Sequence, residues 1–128
     1  MRLLLDTHAL LWWLSDDEAL PSSARRIISD NRNQVLVSSA SAWEISTKFR
    51  LGRLPTAATL VHDFDVYLHG ERFDPLPISL EHGVRAGLLP GPHRDPFDRM
   101  LIAQAQAENI AIISNEKVFD GYGVRRVW

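Results

Sequence analysis

Asp6 closes the apolar run Leu3-Leu4-Leu5, and Glu44 lies in a helical pattern just after Val35-Leu36-Val37. Asp95 and Asp98 open a long helical pattern, and Glu116 follows the run Ile110-Ala111-Ile112-Ile113. If those runs are strands of a parallel sheet, all of these acids lie at its carboxyl edge, where open α/β folds place their ligands. Gathered carboxylates raise one another's pKa and cost free energy unless positive charge sits among them. The chain has no cysteine. A cation there would meet oxygen donors, which suits Mg²⁺ or Mn²⁺. Such an ion neutralises a phosphate, activates a water and stabilises a leaving oxygen.

Each acid also has a plainer role open to it. Asp6 can cap the helix that follows, together with Thr7. Glu44 can pair with Lys48 four residues on, an arrangement worth about 0.3–0.5 kcal/mol on an exposed helix face. Asp95 precedes Pro96, as an N-cap precedes Pro at the first helical position. Asp98 and Glu116 can each favour a helix dipole from the first turn. Independent caps have no reason to fall together at one edge of a sheet, so the joint pattern outweighs each part.

The elements that must position these residues alternate. Strands are predicted at Leu3–Leu5, Val35–Val37, Ile110–Ile113 and Val124–Val127, with Phe73–Ile78 confined by its two prolines to a sheet edge. Helical patterns run over Ala9–Leu14, from Pro21 to about Asn31, and over Ala42–Phe49 with Ser38, Ser39 and Ser41 as candidate caps and Gly52 as the stop. Others run over Leu60–Leu68, Leu80–Leu88 behind the cap Ser79, and Phe97–Ala107, with a short helical turn at Val118–Tyr122. Strands alternating with helices predict an α/β domain with a parallel sheet covered on both faces.

With 128 residues and 45% hydrophobic content, the chain predicts one domain with one core. The formal charge of −2 argues against a nucleic-acid binder that works by bulk charge. A polyanion must be held by a local patch or through metal ions. Arg94 and Arg99 flank the acids of the long helix, and Lys48 stands near Glu44, as candidate phosphate contacts. No signal peptide or membrane span is read, which points to the cytoplasm. No Gly-rich phosphate loop follows a strand, and the serines lie in no Gly-x-Ser-x-Gly elbow. The histidines form no His-Glu-x-x-His pair; His8 and His93 stand near the acids, and a solvated or core position is the ordinary fate of each. Trp12, Trp13 and Trp43 read as core or interface residues rather than base-stacking platforms. A phosphatase with Asp6 as nucleophile would want a second acid two residues on, where His8 stands.

Four stretches, in order and spanning almost the whole chain, resemble the PIN-domain ribonucleases of the VapC toxin type. They are Leu3-Leu4-Leu5-Asp6-Thr7-His8-Ala9-Leu10-Leu11-Trp12, Ser41-Ala42-Trp43-Glu44-Ile45 with Lys48, the run from His93 through Asp95-Pro96-Phe97-Asp98 to Ala105, and Ile113-Ser114-Asn115-Glu116 with Phe119-Asp120-Gly121-Tyr122-Gly123-Val124. The third is the most specific. The resemblance implies a single PIN domain over residues 1–128: a three-layer α/β/α sandwich around a mostly parallel sheet of about five strands.

It further implies a metal-dependent endoribonuclease, with Asp6, Glu44 and Asp98 as metal-binding catalytic acids and Asp95 able to join them. The fourth acid of the family follows a Thr or Ser by two residues and is commonly Asp; Ser114-x-Glu116 fills that place with a longer side chain. Thr7 and Ser114 are then hydroxyls that orient carboxylates. The implied products carry a 5′-phosphate and a free 3′-hydroxyl. The implied partners are RNA, a small antitoxin whose tail fills the acidic groove, and a second copy of the chain. Glu116 keeps a second possibility in view, a non-catalytic PIN-like module that binds RNA or protein.

Overall fold

A computed structural model describes all residues from Met1 to Trp128. Five strands form one sheet: β1 (Arg2–Leu5), β2 (Gln34–Ser38), β3 (Asp74–Leu76), β4 (Ala111–Ile113) and β5 (Arg126–Val127). Their order is β3-β2-β1-β4-β5, and every pairing is parallel. The sheet is therefore wholly parallel. β3 sits at one edge, where its Pro75 lacks no ladder partner it would otherwise need.

Successive side chains of a strand point to opposite faces, and the core divides accordingly. Leu3 and Leu5 of β1 pack with Val35, Val37, Ala111 and Ile113 on one face. Leu4, Leu36 and Ile112 pack on the other. The first face is covered by α1 (Thr7–Leu14), α2 (Ser22–Ser29), α4 (Ala58–His62) and α5 (Phe64–Gly70), with Ile45 and Phe49 of α3 (Ser39–Arg50). The second is covered by α6 (Leu80–Leu88) and its following loop with α7 (Pro96–Glu108), through Leu89, Leu101, Ile102 and Ala105. The result is the expected three-layer α/β/α sandwich.

Three expectations shift. The helix expected over Leu60–Leu68 is two, α4 and α5, broken at Asp63, whose backbone leaves the helical region (φ −132°, ψ 40°). β5 is shorter than Val124–Val127, because Gly123 takes a left-handed φ of 72° and the chain is still turning out of the 3₁₀ segment Lys117–Tyr122. Thr7 is not the cap of α1. That role belongs to Asp6, whose Oδ1 accepts from the Ala9 amide at 2.7 Å, while Thr7 turns inward and donates to Ser41 at 3.0 Å.

Candidate functional site

The chain leaves β1 for β2 and β3 on one side, then returns for β4 and β5 on the other. The strand order thus reverses beside β1, and a crevice opens at the carboxyl ends of β1 and β4. Asp6 stands there. Its amide extends the sheet by donating to the Ile113 carbonyl at 3.0 Å. Its buried carboxylate caps α1 and accepts from the Ser114 hydroxyl. Burial raises the Asp6 pKa above the ordinary 3.8; the Ser114 and Ala9 hydrogen bonds oppose the rise, and Glu116 adds to it.

Ser114 serves two acids. It also accepts from the Glu116 amide at 2.9 Å, which fixes the turn that carries Glu116 to the same crevice. His8 Nδ1 lies 3.6 Å from Glu116 Oε1. From α7, Asp98 enters in the first helical turn, behind Asp95, whose Oδ1 caps the helix through the amides of Phe97 and Asp98. Burial pushes Asp98 up to about 6; Asp95 and Glu116 add to the rise, and His93 opposes it. The His93 Nε2 lies 2.9 Å from Asp98 Oδ2.

Glu44 arrives from α3. Ser38 caps that helix and donates to Gln104 of α7, so α3 is tied to the helix that carries Asp98. Glu44 is buried, with Oε2 at 2.6 Å from Lys48 Nζ. Its Oε1 is the one buried side-chain oxygen or nitrogen in the protein without a hydrogen-bond partner. A buried polar atom left so costs roughly 1–3 kcal/mol, which calls for a reason in function.

Glu116 is thus close enough to raise the pKa of both Asp6 and Asp98, Asp95 adds to the rise at Asp98, and Glu44 stands on the adjoining helix. No three of them converge on a single point at metal-ligand distances. Glu44, Asp98 and Glu116 each lie against a basic side chain instead: Lys48, His93 and His8. A hard dication fits the chemistry of this donor set: carboxylate oxygens alone, two of them resisting ionisation, and one buried oxygen short of a partner.

The basic residues sort differently from expectation. Arg94 is exposed in the loop before α7 and lines an open recess with Gly91, Pro92, His93 and an edge of Arg99. Arg99 is turned into the protein. Its guanidinium donates to the carbonyls of Ala86, Leu89 and His93, clamping the end of α6 and the following loop to α7. The reason is geometric: the turn of chain after α6 leaves carbonyls without helical partners, and a forked donor satisfies several at once. His8 and His93, read as ordinary histidines, face acids. Nothing in residue type reveals this, although His93 precedes Asp98 by one loop turn. Tyr122, unremarked in the sequence, steadies that loop by accepting from the His93 amide at 3.2 Å.

A wholly parallel sandwich with acids at its switch point defines an open α/β protein whose candidate site lies at the carboxyl edge of the sheet. The chain belongs to the PIN domain family, whose model matches residues 3–124. It is 39% identical over 64 residues to Ribonuclease VapC16 of Mycobacterium tuberculosis, a match over 48% of this chain and 42% of that protein's length. The VapBC2 structure from Rickettsia felis, bound to a DNA fragment from its promoter, superposes with a TM-score of 0.71 at 17% identity, covering 99% of this chain and 98% of the other. DNA-bound VapBC from Salmonella typhimurium gives 0.71 at 16% identity, over 99% and 97%. A toxin–antitoxin complex from Klebsiella pneumoniae gives 0.63 at 16% identity, over 98% and 96%. At these identities the structural likenesses speak to the fold.

Proposed function

We propose that the protein is a divalent-metal-dependent endoribonuclease and the toxin of a type II toxin–antitoxin pair. The observation that carries the reading is the buried carboxyl of Asp6 and the half-buried one of Asp98, both held above their ordinary pKa at the switch point, with an unpartnered Glu44 oxygen on the adjoining helix. Asp6, Asp98 and Glu44 would hold Mg²⁺ or Mn²⁺, with Glu116 and Asp95 beside them. When bound, the ion neutralises phosphate charge and activates water for in-line attack on phosphorus. The chain's own residues do the positioning. Asp6 is locked by the Ala9 amide and Ser114, Asp95 fixes the helix start that carries Asp98, and Thr7 braces α1 on α3 through Ser41. Arg94, exposed beside His93, is the contact for the RNA backbone; Lys48 can turn to it once a cation replaces it at Glu44.

The similarity to a ribonuclease-named relative and the fold shared with toxin–antitoxin complexes support the assignment. On this reading the partners are RNA, a small antitoxin and a second copy of the chain, and the site of action is the cytoplasm. No helix is long and apolar enough to cross a membrane. Purified protein should cut RNA with Mg²⁺ or Mn²⁺, leaving 5′-phosphate ends, and Asp6→Asn should lose the activity.

One observation favours a second reading, a non-catalytic PIN module. Three acids already carry internal basic partners, and no three acids close on one point. That reading requires RNA binding without metal-dependent cleavage, unchanged in Asp6→Asn.

A further inference from the structure

Gln104 is the one polar residue among the large side chains that are wholly enclosed. It sits in the middle of α7 among Leu101, Ile102, Ala103 and Ala105, where packing on the sheet favours apolar residues. Its amide is satisfied at both ends. Oε1 accepts from the Ser38 hydroxyl, which itself accepts from the Ala40 amide at the start of α3. Nε2 donates to the Pro77 carbonyl at 3.3 Å and lies 3.4 Å from His82 Nδ1. That histidine nitrogen already accepts from the Ser79 amide, so it carries no proton and can only accept. One orientation of the amide therefore suits all three neighbours. A single side chain joins α7 to the start of α3, to the chain beyond β3 and to the start of α6.

Apolar groups of the same shape can fill such a space with little loss of stability. What a fully satisfied buried network adds is one fixed arrangement. The arrangement fixed here is that of α3 against α7. Ser38 meets Gln104 at one end of their contact, and Trp43 meets Phe97 edge to face at 4.8 Å at the other. The two helices thus pass one another in opposite senses. Glu44 lies six residues beyond Ser38, and Asp98 six residues before Gln104, a lever of about 9 Å along each helix. Both acids are chain neighbours of the two rings. A slip at the polar end is carried along both helices to the acids.

We propose that Gln104 is a positioning residue for the divalent cation: by tying α3 to α7 it sets the span between the Glu44 and Asp98 carboxylates. It hydrogen-bonds to neither acid and acts through the two helices. The side chain of Glu44 has little freedom to correct a misplaced helix, because it is buried and its Oε2 is held by Lys48 at 2.6 Å. The direction of the unpartnered Oε1 therefore follows from where α3 lies. The proposal rests on the metal-dependent reading above and deepens it.

Calorimetric titration of the full chain with Mn²⁺ reads the span through affinity. Gln104→Met keeps the length of the side chain and loses its hydrogen bonds; it should raise the Mn²⁺ dissociation constant about tenfold or more. Ser38→Ala removes the same bond from the other side and should do likewise, and the two changes together should fall within about threefold of the weaker single variant. Ile28→Ala opens a cavity in the core on the other face of the sheet and lowers stability, yet should leave the constant within about twofold. Without cation, Gln104→Met should shift the Trp43 indole N–H signal by NMR, and Ile28→Ala should leave it in place. Circular dichroism reports folding; if Gln104→Met does not fold, Ser38→Ala decides. A parent that binds Mn²⁺ while Gln104→Met binds it unchanged, or while Ile28→Ala weakens it equally, overturns the positioning role alone. An unmoved Trp43 signal overturns it too. A parent that binds no Mn²⁺ overturns it together with the metal reading.

Discussion

Burial, then the neighbouring Asp95 and Glu116, push Asp98 up to about 6 from 3.8, against the pull of His93 at 2.9 Å. The folded chain therefore binds the Asp98 proton more tightly than the unfolded chain does. The stability this confers is complete below about 3.8 and is lost as the pH rises through about 6. Asp98→Asn, which cannot ionise, should gain on the parent across that window and be about 1–2 kcal/mol more stable at pH 7. Urea melts of both proteins from acid to neutral pH check this; a gap between them that does not widen with pH contradicts it. Glu44 and Lys48 make a second test. Lys48→Met leaves a buried carboxylate without its counter-charge, with an expected loss of about 1–3 kcal/mol that adding Glu44→Gln largely recovers. If the two losses simply add in the double variant, the pair at 2.6 Å contributes nothing.

The elements that present the site are pinned at their ends. Gly91 has a φ of +98°, and a Cβ there would stand 2.7 Å from the Tyr122 hydroxyl. Gly91→Ala should therefore cost about 1–2 kcal/mol and dislodge Tyr122 from the His93 amide, visible as a changed His93 amide chemical shift by NMR. An unchanged His93 signal would show that the loop is held by other means. Arg99→Lys should cost about 2–3 kcal/mol in denaturant melts, because a single ammonium cannot reach all of the carbonyls of Ala86, Leu89 and His93. Such pinning explains what was legible in the chain. Apolar runs of three or four residues show strands buried on both faces, and Asp95-Pro96 shows where α7 begins, because those signals are local. The break at Asp63, the inward turn of Arg99 and the meeting of His93 with Asp98 depend on contacts made only after the layers close. Thr7 illustrates the limit: its residue type suits a cap, but packing of α1 on α3 sets it against Ser41 and leaves the cap to Asp6.

Across the whole molecule, the switch point beside β1 gathers Asp6 and Glu116 from the ends of β1 and β4 and Asp98 from the first turn of α7, with Glu44 on the adjoining helix α3. The joint pattern of acids was readable because parallel strands share a carboxyl edge, and the Glu44–Lys48 pair because it is four residues apart on one helix; the approach of His8 to Glu116 and of His93 to Asp98 was not, because it depends on side-chain direction. A chain of net charge −2 with acids in its groove repels RNA until positive charge enters. Mn²⁺ should therefore stabilise the parent, by about 2.7 kcal/mol at one hundred times its dissociation constant, and leave Asp6→Asn and Asp98→Asn unaffected in thermal melts. The most direct test is cleavage of a structured RNA by the purified protein, titrated with Mg²⁺ or Mn²⁺ and set beside Asp6→Asn and Asp98→Asn. Cation-dependent cutting that falls at least ~100-fold in both variants is the predicted result. Cutting that persists in chelator, or that both variants retain in full, would contradict the assignment of the acidic crevice as the active site.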